Sequence, residues 1–173
     1  CRLSVKRQAG LKTTKASCSL SLNKNIPGID LLSLADRLII KKDADKTRIF
    51  DPIRKKYIIL QPEEFVRQLL ILWLSEEGGF SRNSLQVEKL VRINDLSRRF
   101  DMVIYDKKTQ PFILVECKAH GTPVGQHTFD QIAVYNMALK APYLIVTNGV
   151  NTYCVEVNHI TKSYIFLEKI PAP

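Results

Sequence analysis

Residues 111–118, Pro-Phe-Ile-Leu-Val-Glu-Cys-Lys, constrain the fold of this chain more than any other segment. Their centre, Ile113-Leu114-Val115, is an unbroken apolar run. Such a strand suits a place covered on both faces of a sheet. Cover is available on either side in the sequence. Gln61-Pro62-Glu63-Glu64 opens a helix, with proline in the first turn and two acids near the positive end. Phe65, Val66, Leu69, Leu70, Leu72 and Trp73 then recur at helical spacing until Gly78-Gly79. Residues 126–140 predict a second helix, with Ile132, Ala133 and Leu139 on one side. Further strands are predicted over 37–42, 47–50, 56–60, 85–93, 98–106, 143–147, 152–157 and 164–168. Asp43–Lys46 and residues 94–97 read as turns, and Asn148-Gly149 as a hairpin tip. Strands, helix, strands, helix, strands predict an α/β fold, a single domain over residues 27–173.

Composition enters where it excludes alternatives. The 173 residues are 45% hydrophobic and 25% charged, which rules out a disordered or fibrous chain. No stretch reaches the ~18 to 20 apolar residues of a spanning helix, so no membrane role is expected. The net charge is +9. Residues 1–24 hold six basic side chains and no acidic one, so most of the excess lies in the tail 1–26, read as basic and disordered. A basic chain favours polyanions, nucleic acid first among them. The four cysteines are widely spaced, without metal-ligand spacing, and read as reduced thiols in a cytoplasmic setting.

The chemistry lies in the segments on either side of the loop 107–110. If they pair as a hairpin with Asp106 opposite Pro111, the same register puts Asp101 opposite Glu116. Directly opposed residues have Cβ atoms ~5 Å apart, and like charges there are destabilising unless compensated. A hard divalent cation, Mg²⁺ or Mn²⁺, is one compensation, with the Cys117 backbone carbonyl as a further oxygen ligand. Lys118, two residues beyond Glu116, projects from the same face. Two carboxylates, a metal and a lysine suit hydrolysis of a phosphodiester. A surface salt-bridge ladder on a hairpin is the competing reading.

Asp101 followed by Glu116-Cys117-Lys118 resembles the PD-(D/E)xK nuclease motif. Gln131 and Tyr135, one helical turn apart, look like the Q-x-x-x-Y element of RecB-type members. Ile49-Phe-Asp-Pro-Ile-Arg-Lys-Lys-Tyr57, Pro62-Glu-Glu-Phe-Val-Arg-Gln68, Val115-Glu-Cys-Lys-Ala119, Phe129-Asp-Gln-Ile132, Tyr135-Asn136 and Val146-Thr-Asn-Gly149 resemble the family named for the N-terminal domain of type I restriction enzyme R proteins, over about residues 37 to 168.

The resemblance implies a restriction-endonuclease-like fold, a four-stranded mixed sheet flanked by helices, here with an N-terminal β-hairpin and a C-terminal strand extension. It implies a metal-dependent nuclease acting on DNA, with Asp101 and Glu116 as metal ligands and Lys118 as the catalytic lysine. Glu64 matches the acid that often completes such a site, and Glu63 is its rival. Gln131 and Tyr135 support the site or contact DNA. Arg99 is placed on the Asp101 face, to pair with the carboxylates or bind a phosphate, and Arg67 pairs with Glu64. Arg54, Lys55 and Lys56 read as a solvated turn. Implied partners are DNA and other restriction or repair subunits, with a homodimer left open. The chain has no G-x-x-x-x-G-K-[ST] sequence, so it holds no helicase motor of its own. A non-catalytic DNA-binding or assembly module and an RNA-directed nuclease are the alternatives.

Overall fold

The computed structural model describes residues 26, 29–93 and 96–172. Of the sequence expectations, the disordered tail, apart from Ile26, and half of the 94–97 turn lie outside the described residues. Ile26 itself is buried, and its N–H donates to the Thr152 carbonyl at 2.9 Å, so the end of the expected tail belongs to the core.

The described residues form two sheets and two α-helices. A small antiparallel sheet of order β1-β2-β3 comprises β1 (Ile40–Lys42), β2 (Thr47–Asp51) and β3 (Lys56–Ile59). Helix α1 (Pro62–Glu76) follows. The large sheet has the order β4-β5-β6-β7-β8-β9, from β4 (Leu85–Ile93), β5 (Leu96–Tyr105), β6 (Pro111–Cys117), β7 (Tyr143–Thr147), β8 (Thr152–Asn158) and β9 (Ser163–Leu167). Its one parallel pair is β6–β7, joined through helix α2 (Gln126–Leu139). The sheet is larger than the four strands the family resemblance implies. The β7–β8 and β8–β9 hairpins extend it beyond the central strands.

The apolar run of β6 has the place its sequence asks for. Ile113, Val115 and Cys117 pack on the α1 side, with Val66, Leu69, Leu70, Ile71 and Leu74. Leu114 packs on the α2 side, with Phe129 and Ile132. Each such side chain, fully buried, contributes about 1.5–3 kcal/mol. The sheet is therefore covered on both faces at β6, one of its two central strands.

Three expectations change. The strand predicted from Arg37 starts only at Ile40, and Leu32–Arg37 is a 3-10 helix instead. The reason is burial: Leu31 and Leu34, three residues apart, pack into the α1 core, and Arg37 pairs with Glu76 at the far end of α1. The expected N-terminal hairpin is a three-stranded sheet. The β5–β6 turn also differs. Tyr105 pairs with Pro111, Asp106 N–H donates to the Gln110 carbonyl, and an irregularity follows before Ile104 pairs with Ile113. The bulge absorbs one residue, so the register deeper in the sheet (Met102 with Val115) is the one the sequence predicts.

The helix ends show why these residues stop there. The Gly78 N–H donates to the Trp73 carbonyl, and a Cβ on Gly78 would lie 2.9 Å from the Trp73 ring and 3.0 Å from the Leu74 Cα. Helix α2 ends at Lys140 in the left-handed region, φ 54°. Buried Asn136 fastens that end: its Nδ2 donates to the Ala141 carbonyl at 2.7 Å and its Oδ1 accepts from Ala141 N–H at 2.9 Å. Asn136→Ala would leave that N–H buried and unpaired, while the carbonyl keeps His159 Nε2 at 3.1 Å. The expected cost is about 1–3 kcal/mol. That lowers the melting temperature by roughly 3–10 °C in a calorimetric scan.

Candidate active site

The last β5–β6 pair is Met102–Val115, and the same register carried one residue further sets Asp101 across from Glu116. Asp101 is bound to the neighbouring strand as well: its Oδ2 accepts from the Cys117 N–H at 2.7 Å. Lys118, just past β6, donates from Nζ to Glu116 Oε1 at 2.7 Å. These side chains are about one-quarter exposed, open enough to meet a ligand. The Cys117 side chain packs into the α1-side core, beneath the charges of Asp101, Arg67 and Glu64.

Electrostatics reflect the crowding of charge. Burial, and then the Asp101 charge, push the Glu116 pKa up, although the Lys118 hydrogen bond and the Lys118 and Arg67 charges oppose this. Burial alone would lower the Lys118 pKa. The Glu116 hydrogen bond and the charges of Glu116, Asp101 and Glu63 outweigh it, so Lys118 is held above its ordinary value. Burial raises the Cys117 thiol far above its ordinary value, so it stays a neutral core group.

A raised carboxyl pKa means that neutral Glu116 favours the fold. That contribution is present below the ordinary carboxylate pKa of about 4.3 and is lost as pH rises through the folded value. Glu116→Gln mimics the neutral form. It is expected to raise the melting temperature of the metal-free protein at pH 7 and to leave it unchanged near pH 3, in parallel thermal scans.

The second half of the site is an arginine–carboxylate network. Helix α1 presents Glu64 and Arg67, both buried, one turn apart. Arg67 Nη1 donates to Glu64 Oε2 at 2.6 Å and Nη2 to Asp101 Oδ1 at 2.8 Å. Glu64 Oε1 also accepts from Gln68 Nε2 at 2.8 Å and Arg54 Nη2 at 3.0 Å. Arg54 Nε binds fully buried Asp51 at 2.5 Å, and its Nη1 lies 2.8 Å from Glu88 Oε2. For Arg67, burial lowers the pKa, but the Asp101 and Glu64 charges overcome it and hold the guanidinium above its ordinary value.

The structure therefore brings Asp101, Glu116, Lys118, Glu64 and Arg67 together. Glu63 is exposed and contributes only its field at Lys118. Arg99 is 66% exposed, with its Nη1 3.7 Å from Glu88, so it touches the network only at the rim. Arg54 overturns the expected solvated turn. The β2–β3 turn folds it inward because Asp51, at the end of β2, accepts its backbone N–H at 2.8 Å as well as its guanidinium. Gln131 is exposed, and its amide donates to Tyr135 Oη at 3.3 Å; among the described residues no hydrogen bond joins it to the carboxylates. The Tyr135 ring packs edge-on to Phe100, the neighbour of Asp101, with centroids 6.3 Å apart. Sequence reasoning missed Asp51 and Glu88. The Asp-Pro turn was a signal for the first. Nothing in the alternation of β4 marks the second.

A family model described as the type I restriction enzyme R protein N terminus matches residues 62–171, well over half of the chain. The chain belongs to this family. The match holds both helices and the whole large sheet, while the 49–57 segment that supplies Asp51 and Arg54 lies outside it. A solved fragment of a putative HsdR subunit of a type I restriction enzyme from Vibrio vulnificus YJ016 aligns at 19% identity with a TM-score of 0.47. The alignment covers 65% of this chain and 24% of that one, so this chain spans about a quarter of its length. Comparison with curated proteins gives no match. No helix among the described residues is long and apolar enough to cross a membrane.

Among the described residues, no three His, Cys, Asp or Glu side chains converge into a ready-made metal cage. A two-carboxylate site is a different matter. Asp101 and Glu116 are hard oxygen donors; burial, and then the Asp101 charge, raise the Glu116 pKa, and among the described residues Glu116 Oε2 accepts no hydrogen bond. That donor set fits a cation such as Mg²⁺, which keeps most of its waters and needs only one or two carboxylates. Glu64 has both oxygens taken, by Arg54, Arg67 and Gln68, and Asp101 likewise has both engaged, by Arg67 Nη2 and the Cys117 N–H.

Proposed function

We propose that this chain is a nuclease domain of the PD-(D/E)xK type that hydrolyses DNA phosphodiester bonds with Mg²⁺ or Mn²⁺, working beside other restriction subunits. The observation that carries the reading is the cluster in which Asp101 Oδ2 accepts from the Cys117 N–H, the Asp101 charge acts on Glu116, and Lys118 Nζ donates to Glu116 Oε1. Asp101 and Glu116 are the residues that would hold the cation. When bound, it supplies an acidified water and offsets phosphate charge. Glu64 acts at one remove, by holding Arg67.

The chain's own residues do the rest. The Cys117 N–H holds the Asp101 carboxylate through Oδ2, while Oδ1 carries Arg67. The Lys118 ammonium is a donor, not a base. It orients the attacking water or binds a phosphate oxygen where negative charge grows, a role worth most in a partly dry site. Exposed Arg99 at the rim suits a backbone phosphate, so DNA binding weakens as salt rises.

The test is incubation of linear and supercoiled plasmid, and of an RNA of equal length, with Mg²⁺ or Mn²⁺, with Asp101→Asn in parallel. Metal-dependent cutting of DNA that Asp101→Asn loses is the expected result. Cutting confined to RNA moves the substrate. The Arg67–Asp101 ion pair favours a second reading, a DNA-binding or assembly module without turnover. DNA binding with no cleavage in either metal would select it.

A further inference from the structure

Arg67 is 6% exposed, yet among the described residues its buried Nε has no hydrogen-bond partner, while Nη1 and Nη2 serve Glu64 and Asp101. An orphaned buried donor is unfavourable, so this guanidinium is incompletely satisfied where it sits. A second acceptor stands close by. Glu88 Oε1 lies 3.8 Å from Arg67 Nη1, beyond a hydrogen bond but inside ion-pair range.

The place of Glu88 is unusual. The pairs Val87–Met102 and Lys89–Phe100 flank it, so Glu88 sits across β4–β5 from Asp101. Its φ is +51°, inside a strand and without glycine's freedom. A non-glycine residue pays conformational energy to stay there, and persists only where its surroundings impose it. Here the Glu88 carboxylate ends among three guanidinium groups, those of Arg54, Arg67 and Arg99.

We propose that Arg67 and Glu88 form an exchange pair for the cation at Asp101. Without metal, Arg67 Nη2 neutralises Asp101. When a divalent cation takes Asp101, the guanidinium is released toward Glu88, which keeps its charge compensated in a buried place. Glu88 is thus a positioning residue that acts on metal binding through Arg67. The inference rests on the reading of Asp101 and Glu116 as cation ligands, and it names what must leave before they can serve.

The test measures Mn²⁺ affinity by titration calorimetry, without DNA, for the wild type, Glu88→Gln, Arg67→Gln and the double variant. Arg67→Gln is expected to bind Mn²⁺ several-fold more tightly, because a competitor is gone. Glu88→Gln is expected to bind several-fold more weakly, and to lose that effect in the Arg67→Gln background, since coupled residues are non-additive. An equal Glu88→Gln effect in both backgrounds is plain charge at a distance and overturns the exchange. So does unchanged or weaker binding by Arg67→Gln.

Should Arg67→Gln fail to fold, the wild type with ¹⁵N-labelled arginine decides: Mg²⁺ must shift the Arg67 Nε–H resonance, and a static resonance overturns the proposal. A wild type that binds no Mn²⁺ removes the nuclease reading itself, and the exchange with it. A wild type that binds while the variants contradict the exchange leaves that reading standing.

Discussion

Lys118→Ala is expected to lower the rate of DNA cleavage by on the order of 10²–10⁴-fold, the range for loss of a positioned donor or proton-transfer group. Stability should barely change. The Lys118 side chain is 27% exposed and, among the described residues, makes one ion pair, with Glu116; pairs that open to solvent contribute ~0–1 kcal/mol. Removing it leaves Glu116 beside Asp101 without its hydrogen-bond donor, so the variant should still bind the cation. Single-turnover cleavage next to a Mn²⁺ titration separates the two effects. Lost cleavage with retained metal binding places Lys118 at the reacting phosphate. Full activity would remove it from the chemistry and leave it as one half of a hairpin salt bridge.

Arg67→Ala should have the opposite profile. The side chain is 8% exposed and joins Glu64 to Asp101, so α1 is tied to β5 by a buried cation between two anions. Breaking such a pair from one side leaves uncompensated buried charge and costs about 3–5 kcal/mol. In a chain of this size the melting temperature falls by roughly 6–20 °C. Salt distinguishes the mechanism. Buried pairs are screened little, so the deficit should persist in concentrated salt, whereas a surface pair would lose its effect there. A change within a degree or two would show that Arg67 contributes nothing net to the fold and would recast the network as a surface feature.

Several parts of this site were legible in the sequence because they are local. The opposition of Asp101 and Glu116 follows from strand period and hairpin register, and it survives a turn read one residue wrong because the bulge near Tyr105 absorbs the difference. Lys118 follows from alternation. Glu64 and Arg67 follow from helical spacing. Arg54 and Glu88 did not, for opposite reasons. Arg54 sits in a run of three basic residues, which in isolation is best solvated; only a buried carboxylate, Asp51, and two more from distant elements, Glu64 and Glu88, draw it inward. Glu88 breaks the strand conformation that its sequence suggests, and the partners that hold it come from a turn, a helix and another strand.

The sequence by itself determined the class of fold, the helix and strand order, the central doubly covered strand and the family. Each of these rests on periodicity or on residues close in the chain, where the geometry of helix and strand does the positioning. The tertiary structure alone decided the size of the sheet, the inward turn of Arg54 and the pairing of Asp101 with Arg67 across 34 positions of sequence. Those depend on which buried charges find partners once the elements pack. Because a buried charge costs several kcal/mol when unpaired, that requirement is met by long-range neighbours that no local pattern records.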